Sequence, residues 1–133
     1  VPKATQLNLN LDNQTGTLAR LCRDLAHGGV NLLALMAPET HTGRGVIRLL
    51  VANPEVARQA LARTGYEFTE EQVIFIEIKN RPGALARMTE KLHGAAIGIR
   101  YAYATATAKA QKTAAVIVVS AADLDRADRL LGR

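Results

Sequence analysis

The sequence predicts an α+β chain built as two tandem βαββαβ modules, with antiparallel sheets and helices on one face. Three observations carry this. Leu7, Leu9 and Leu11 alternate with polar residues, as Ile74, Ile76 and Ile78 do later, the period of a strand buried on one side. Each run passes through a short Gly-containing turn into apolar residues at helical spacing. The two stretches lie 67 residues apart, and their surroundings keep that spacing.

In chain order, Gln6–Asp12 reads as a strand and 13–17 as a turn. The helix from Leu18 carries Leu18, Leu21, Cys22 and Leu25 inward, and Gly28-Gly29 ends it by supplying a left-handed cap. Val30–Ala37 is a second strand, 38–45 a polar hairpin loop and Val46–Ala52 a third strand. Asn53-Pro54-Glu55 is a helix start, with a side-chain cap, a proline at the first helical position and an acid near the positive end of the dipole. That helix ends at Thr64-Gly65, and Tyr66–Thr69 begins a fourth strand. This is the split βαβ, ferredoxin-like order.

The unit then restarts. Asn13 meets Asn80, Gly16 meets Gly83, Leu18 meets Leu85 and Leu25 meets Leu92, all at 67. One extra residue in the hairpin 105–112 moves the offset to 68, where Val51 meets Val119, and the helix Leu124–Leu131 completes the repeat. The modules are thus 1–72 and 73–133, and the second lacks its last strand. Its outward strand positions carry Val73 and Phe75, and 114–119 is apolar throughout, so a second subunit is expected to cover that face and make a homodimer.

Composition removes several classes. Hydrophobic residues are 48% and charged residues 22%, which is globular. No run is long enough for a membrane span and no leader pattern opens the chain, so the expectation is a cytoplasmic protein without membrane contact. Val1 suggests that the natural N-terminus lies further upstream. A lone cysteine, Cys22, excludes an internal disulfide and a Cys-based metal site, and its place on the apolar helix face makes it a small core residue. His27, His41 and His93 have no spaced partners, so no metal, cofactor or catalytic role is assigned and no enzyme is expected. The net charge of +5 falls wholly in 73–133, with 10 basic and 5 acidic residues against 7 and 7 before them. The basic residues form no run, which argues for solvated faces and against nucleic acid. RNA-recognition modules share this order of elements but need aromatics on strands one and three, where only Phe75 occurs.

The two turns carry the chemistry. A helix N-terminus offers unpaired N–H groups and partial positive charge to a carboxylate, and glycine lets a ligand approach the backbone. Asn13 and Asn80 offer a donor and an acceptor, able to cap the helix or to hold the ammonium and carboxylate of an amino acid. The run Asn80-Arg81-Pro82-Gly83-Ala84-Leu85, followed by Leu92 and Ile97-Gly98-Ile99, resembles the ACT-domain family, in which Asn-x-Pro-Gly-x-Leu opens the first helix. Asn13-Gln14-Thr15-Gly16-Thr17-Leu18 lacks the proline, while Gly29-Val30-Asn31-Leu32 keeps an asparagine that Gly98 replaces in the second copy.

The resemblance implies a regulatory module that binds an amino acid where the first loop of one module faces strand two of a neighbour. The implied ligand residues are Asn13, Gln14, Thr15, Gly16, Thr17 and Leu18 with Asn31 and Leu32 in the first copy. In the second they are Asn80, Arg81, Gly83, Ala84 and Leu85 with Ile99. Pro82 has no N–H and Gly98 no side chain, so the first copy, with Asn31, is the preferred site. Any output would pass through a regulated enzyme partner. The alternative is a protein–protein scaffold with vestigial loops.

Overall fold

In a computed structural model of the chain, residues 3–12, 15–38 and 44–132 are described. The elements run β1 (Lys3–Asp12), α1 (Thr17–His27), β2 (Leu32–Met36), β3 (Arg44–Val51), α2 (Pro54–Arg63), β4 (Thr69–Lys79), α3 (Ala84–Gly94), β5 (Ile99–Thr105), β6 (Lys112–Val119) and α4 (Leu124–Leu131). They divide into two compact units, one holding the described residues of 5–71 and one holding 72–132 together with Lys3 and Ala4. In each unit the third strand lies between the other two and pairs antiparallel with both, β3 with β1 and β2, and β6 with β4 and β5. The fold is α+β, with tandem ferredoxin-like modules.

The place of the fourth strands differs from the sequence expectation. Tyr66–Thr69 does not form a strand of its own. Thr69–Lys79 is one continuous strand whose first three residues belong to the first unit, where Asn8 Nδ2 donates to Glu71 Oε1 at 3.3 Å. Nothing between Thr69 and Val73 breaks an extended chain, since no Gly or Pro intervenes. The second unit has no strand after α4 among its described residues. Lys3 and Ala4, at the start of β1, fall within that unit instead. Lys3 Nζ meets Asp125 Oδ1 of α4 at 2.6 Å, a contact that raises the lysine pKa and holds the Asp125 carboxyl below its usual range.

Each unit has its own core between sheet and helices, and the two cores repeat. Leu7, Leu21, Leu25 and Leu49 are matched by Ile74, Met88, Leu92 and Ile117. In the last helix the buried pair Ala57 and Leu61 is matched by Ala127 and Leu131, so the spacing there has grown to 70. Asn53 caps α2 as its sequence predicts, accepting from the backbone N–H groups of Glu55 at 3.1 Å and Val56 at 3.4 Å. Cys22 is half-buried and lies outside the core cluster.

Two surface expectations change. Gln6, read as solvent-facing, is fully buried and donates through Nε2 to Asn8 Oδ1 at 2.9 Å. Val73, Val116 and Val118 are at most 1% exposed within the single chain, so their apolar character requires no second subunit. The exposed large apolar side chains lie elsewhere, at Leu18, Leu33, Leu35 and Leu85.

Gly29 follows α1 with φ +76°, and its repeat counterpart Ala96 follows α3 with φ +58°. Among the described residues Ala96 is the only non-glycine with positive φ. A left-handed alanine costs about 1–2 kcal/mol, part of which a glycine gives back by freeing the unfolded chain. Ala96→Gly should therefore stabilise the protein by roughly 0.5–1 kcal/mol, read as a higher urea midpoint at constant slope.

Candidate functional site

The two first-helix turns have nearly one backbone conformation. Gly16 sits at φ +90°, ψ −10° before α1, and Gly83 at φ +89°, ψ −13° before α3. The proline present only in the second copy is therefore not what sets the turn. A left-handed helix cap strongly favours glycine, which accounts for Gly16 and Gly83 whether or not a ligand binds. Neither helix has a side-chain cap or an acid in its first turn. In α3 the first of the leading N–H groups, that of Ala84, donates to the Arg81 carbonyl at 3.3 Å, and the others are left for solvent or a ligand.

Asn13 and Gln14 lie outside the described residues. Asn80 does not cap α3. Its side-chain Nδ2 donates to the carbonyls of Thr107 at 3.1 Å and Ala110 at 2.9 Å, while its backbone N–H donates to the Gln111 carbonyl at 2.9 Å. Asn80 thereby ties the end of β4 to the β5–β6 hairpin, and its donor group is committed to that structural role.

A cleft opens at each turn. In the first unit it is about 100 Å³ and is bordered by Asp12, Thr17, Leu18, Pro38 and Ile47. In the second it is about 210 Å³ and is bordered by Asn80, Arg81, Ala84, Leu85, Thr105 and Thr113. Thr113 Oγ1 donates to the Thr105 carbonyl at its edge. Thr15, Gly16, Arg81 and Gly83 are exposed, Thr17 is half-buried and Ala84 is buried. Leu18, read as inward-facing, and its counterpart Leu85 are 37% and 49% exposed and present apolar surface beside their clefts.

The strand-two residues do not join these clefts within their own unit. Leu32 pairs with Val51 and Leu11 with Gly45, six residues apart along β3. At roughly 3.3 Å per residue that separates Asn31 and Leu32 from the α1 turn by about 20 Å. Ile99 pairs with Val119 while Lys79 pairs with Lys112, which puts Ile99 at the far end of its unit as well. Asn31 is exposed, and its carbonyl accepts from the Ala52 N–H at 3.0 Å.

Sequence reasoning missed Asp12, Pro38, Thr105 and Thr113. Their position was implicit in the topology, because antiparallel pairing of the first and third strands brings the end of the first beside the hairpin. His27 and His93 are exposed, and His41 lies outside the described residues. Among the described residues no three His, Cys, Asp or Glu side chains cluster to hold a metal, and no helix is long and apolar enough to cross a membrane.

Residues 3–130 match the family model described as an ACT domain pair. The chain belongs to that family. Protein BT0572 from Bacteroides thetaiotaomicron is 30% identical, with a TM-score of 0.86 over 98% of this chain and 88% of that one. The regulatory subunit of aspartate kinase from Thermus thermophilus, in its ligand-free form, is 18% identical, with a TM-score of 0.69 over 99% of this chain and 92% of that one. Aspartokinase III of E. coli, in complex with lysine and aspartate, is 12% identical at a TM-score of 0.59, and the match spans 96% of this chain but only 30% of the enzyme. No curated protein matches. These last two likenesses establish the ACT-pair fold.

Proposed function

We propose that this ACT pair is a non-catalytic regulatory module, cytoplasmic and homodimeric, that binds an amino acid and acts on a separate enzyme. The observation that carries the reading is the uncapped N-terminus of α1, which opens on a cleft with an acid at its rim. A zwitterion needs both signs. The N–H groups of α1 suit the carboxylate, the Asp12 carboxylate suits the ammonium, and Leu18 offers an apolar contact for the side chain. The second cleft has no acid at its rim, and Asn80 is spent on the hairpin. The first copy is thus the amino-acid site, and the Asn80 turn is the more recognisable sequence but a structural element.

At about 100 Å³ the first cleft is too small to enclose a ligand alone. A neighbouring module closes it with strand two, and Asn31 comes from that neighbour, since its own unit holds it about 20 Å away. Leu33 and Leu35 are exposed on the same strand and suit contact with a second copy. Likeness in fold to a protein named as a regulatory subunit of a kinase supports an output through a partner enzyme.

Asp12→Asn and Asn31→Ala should each weaken amino-acid binding by roughly tenfold or more, as expected for charge-assisted or buried hydrogen bonds. Gly98→Ala should leave it unchanged. Calorimetric titration of the three variants checks this, and equal affinities in all three would remove the first-copy site. At the second turn the Asn80 side chain is consumed internally, which argues against an amino-acid site there.

A further inference from the structure

The geometry points to a second site, for a small multiply charged anion, in a cleft of about 290 Å³ on the helix side of the second unit. Its floor is apolar, formed by Ile76, Ile78, Met88 and Leu131. Its rim carries four cations, Lys79, Arg81, Arg87 and Lys91. Among the described residues none of the four makes a salt bridge, the ion pair in this region being Lys112 with Glu77.

The internal repeat supplies a control within one chain. At the same spacing of 67, the first copy carries Asp12, Gln14, Arg20 and Asp24. One arginine against two aspartates gives a formal charge of −1 there, whereas four cations give +4 in the second copy. Asp24 also has work of its own, accepting from the Tyr66 hydroxyl at 2.8 Å. The fold thus tolerates a nearly balanced set at these positions, and the cationic set is particular to the second copy.

Arg87 is placed against its local interest. Its Nη1 lies 3.0 Å from where a Cβ on Gly83 would sit, so the guanidinium arches back over the N-terminus of α3. Among the described residues nothing comes within 4 Å of the corresponding point on Gly16. A cation at a helix N-terminus opposes the dipole, and four like charges around one cleft repel one another. An anion bound among them relieves both costs. The concave apolar floor selects a compact organic body over an extended polyanion. The ligand chemistry is therefore two adjacent negative charges, as a phosphoryl group or two carboxylates, on a small apolar frame. This site lies in a different unit from the amino-acid cleft and does not depend on it.

Calorimetric titration of the full chain at ~0.1 M salt, where exposed charges beyond about 10 Å are screened, tests the assignment. The probes are phenyl phosphate and phthalate as dianions, benzoate as a monoanion and a polyglutamate peptide. One or both dianions should bind saturably with one site per chain, and benzoate roughly tenfold more weakly. Binding of phenyl phosphate alone assigns a phosphoryl ligand, and of phthalate alone a dicarboxylate. Arg87→Gln and Lys91→Asp, the latter reproducing the first copy's residue, alter exposed side chains and should each weaken the dianion by roughly tenfold. The proposal is overturned if neither dianion saturates, if benzoate binds equally, if both variants bind like the parent, or if polyglutamate binds more tightly than either dianion.

Discussion

Leu25→Ala and Leu92→Ala should each cost about 2–5 kcal/mol, the range for emptying a buried leucine site in a core that relaxes only in part. The two leucines are repeat counterparts, at most 1% exposed, one in each core cluster. Each shares its cluster with residues of the sheet and of the other helix of its unit, so a void there is bordered by several elements. Because the clusters are separate, the double variant should lose close to the sum of the singles. Urea denaturation of the three proteins measures this. A double variant no less stable than either single one would show that the two cores do not unfold in one cooperative transition.

Gly28→Ala is expected to cost about 1–3 kcal/mol, although alanine is the better helix residue, because the added methyl overpacks a helix contact. A Cβ on Gly28 would lie 2.6 Å from the Cβ of Ala60 on α2, an atom fixed to its backbone, so the helices must part. Backbone conformation is not the obstacle. Gly28 has φ −83°, and its counterpart Ala95 holds a side chain at φ −93° in the second copy. Ala60→Gly should recover much of the loss in the double variant, and thermal melts of the pair and the singles decide it. A neutral Gly28→Ala would show that α1 and α2 are not held at this separation.

The fold was largely legible because the signals that define it are local and occur twice. Alternation at Leu7–Leu11 and Ile74–Ile78, the Asn53-Pro54-Glu55 cap and the 67-residue spacing each state a physical requirement that one sequence can express. The fourth strands were not legible in the same way. Whether an extended segment turns or runs on at 69–73 depends on which neighbours it meets, and those are supplied by residues remote in sequence. The same holds for Gln6 and the valines at 73, 116 and 118. Their faces were read from period alone, but their burial depends on what covers them.

The candidate site divided along a similar line. Gly16 and Gly83 were read as openings for a ligand, and the structure gives both a positive φ, a backbone requirement that accounts for them by itself. Asn80, the strongest letter of the motif, turned out to donate sideways to a hairpin some thirty residues away in sequence. No local rule predicts that, because the acceptors are backbone carbonyls that carry no sequence signal. The copies also diverge in charge, with Asp12 against Lys79 and Asp24 against Lys91, and the ligand classes proposed above follow that difference.

The central claim is that the chain senses a free amino acid through the α1 turn. A thermal-shift screen of residues 1–133 against the twenty amino acids tests this. At about a hundred times its dissociation constant, a true ligand adds roughly 2.7 kcal/mol to stability and raises the melting temperature by several degrees. Such a shift is expected for one amino acid or a few chemically related ones, and is lost in Asp12→Asn. A flat response to all twenty, from a protein that melts cooperatively, would contradict it.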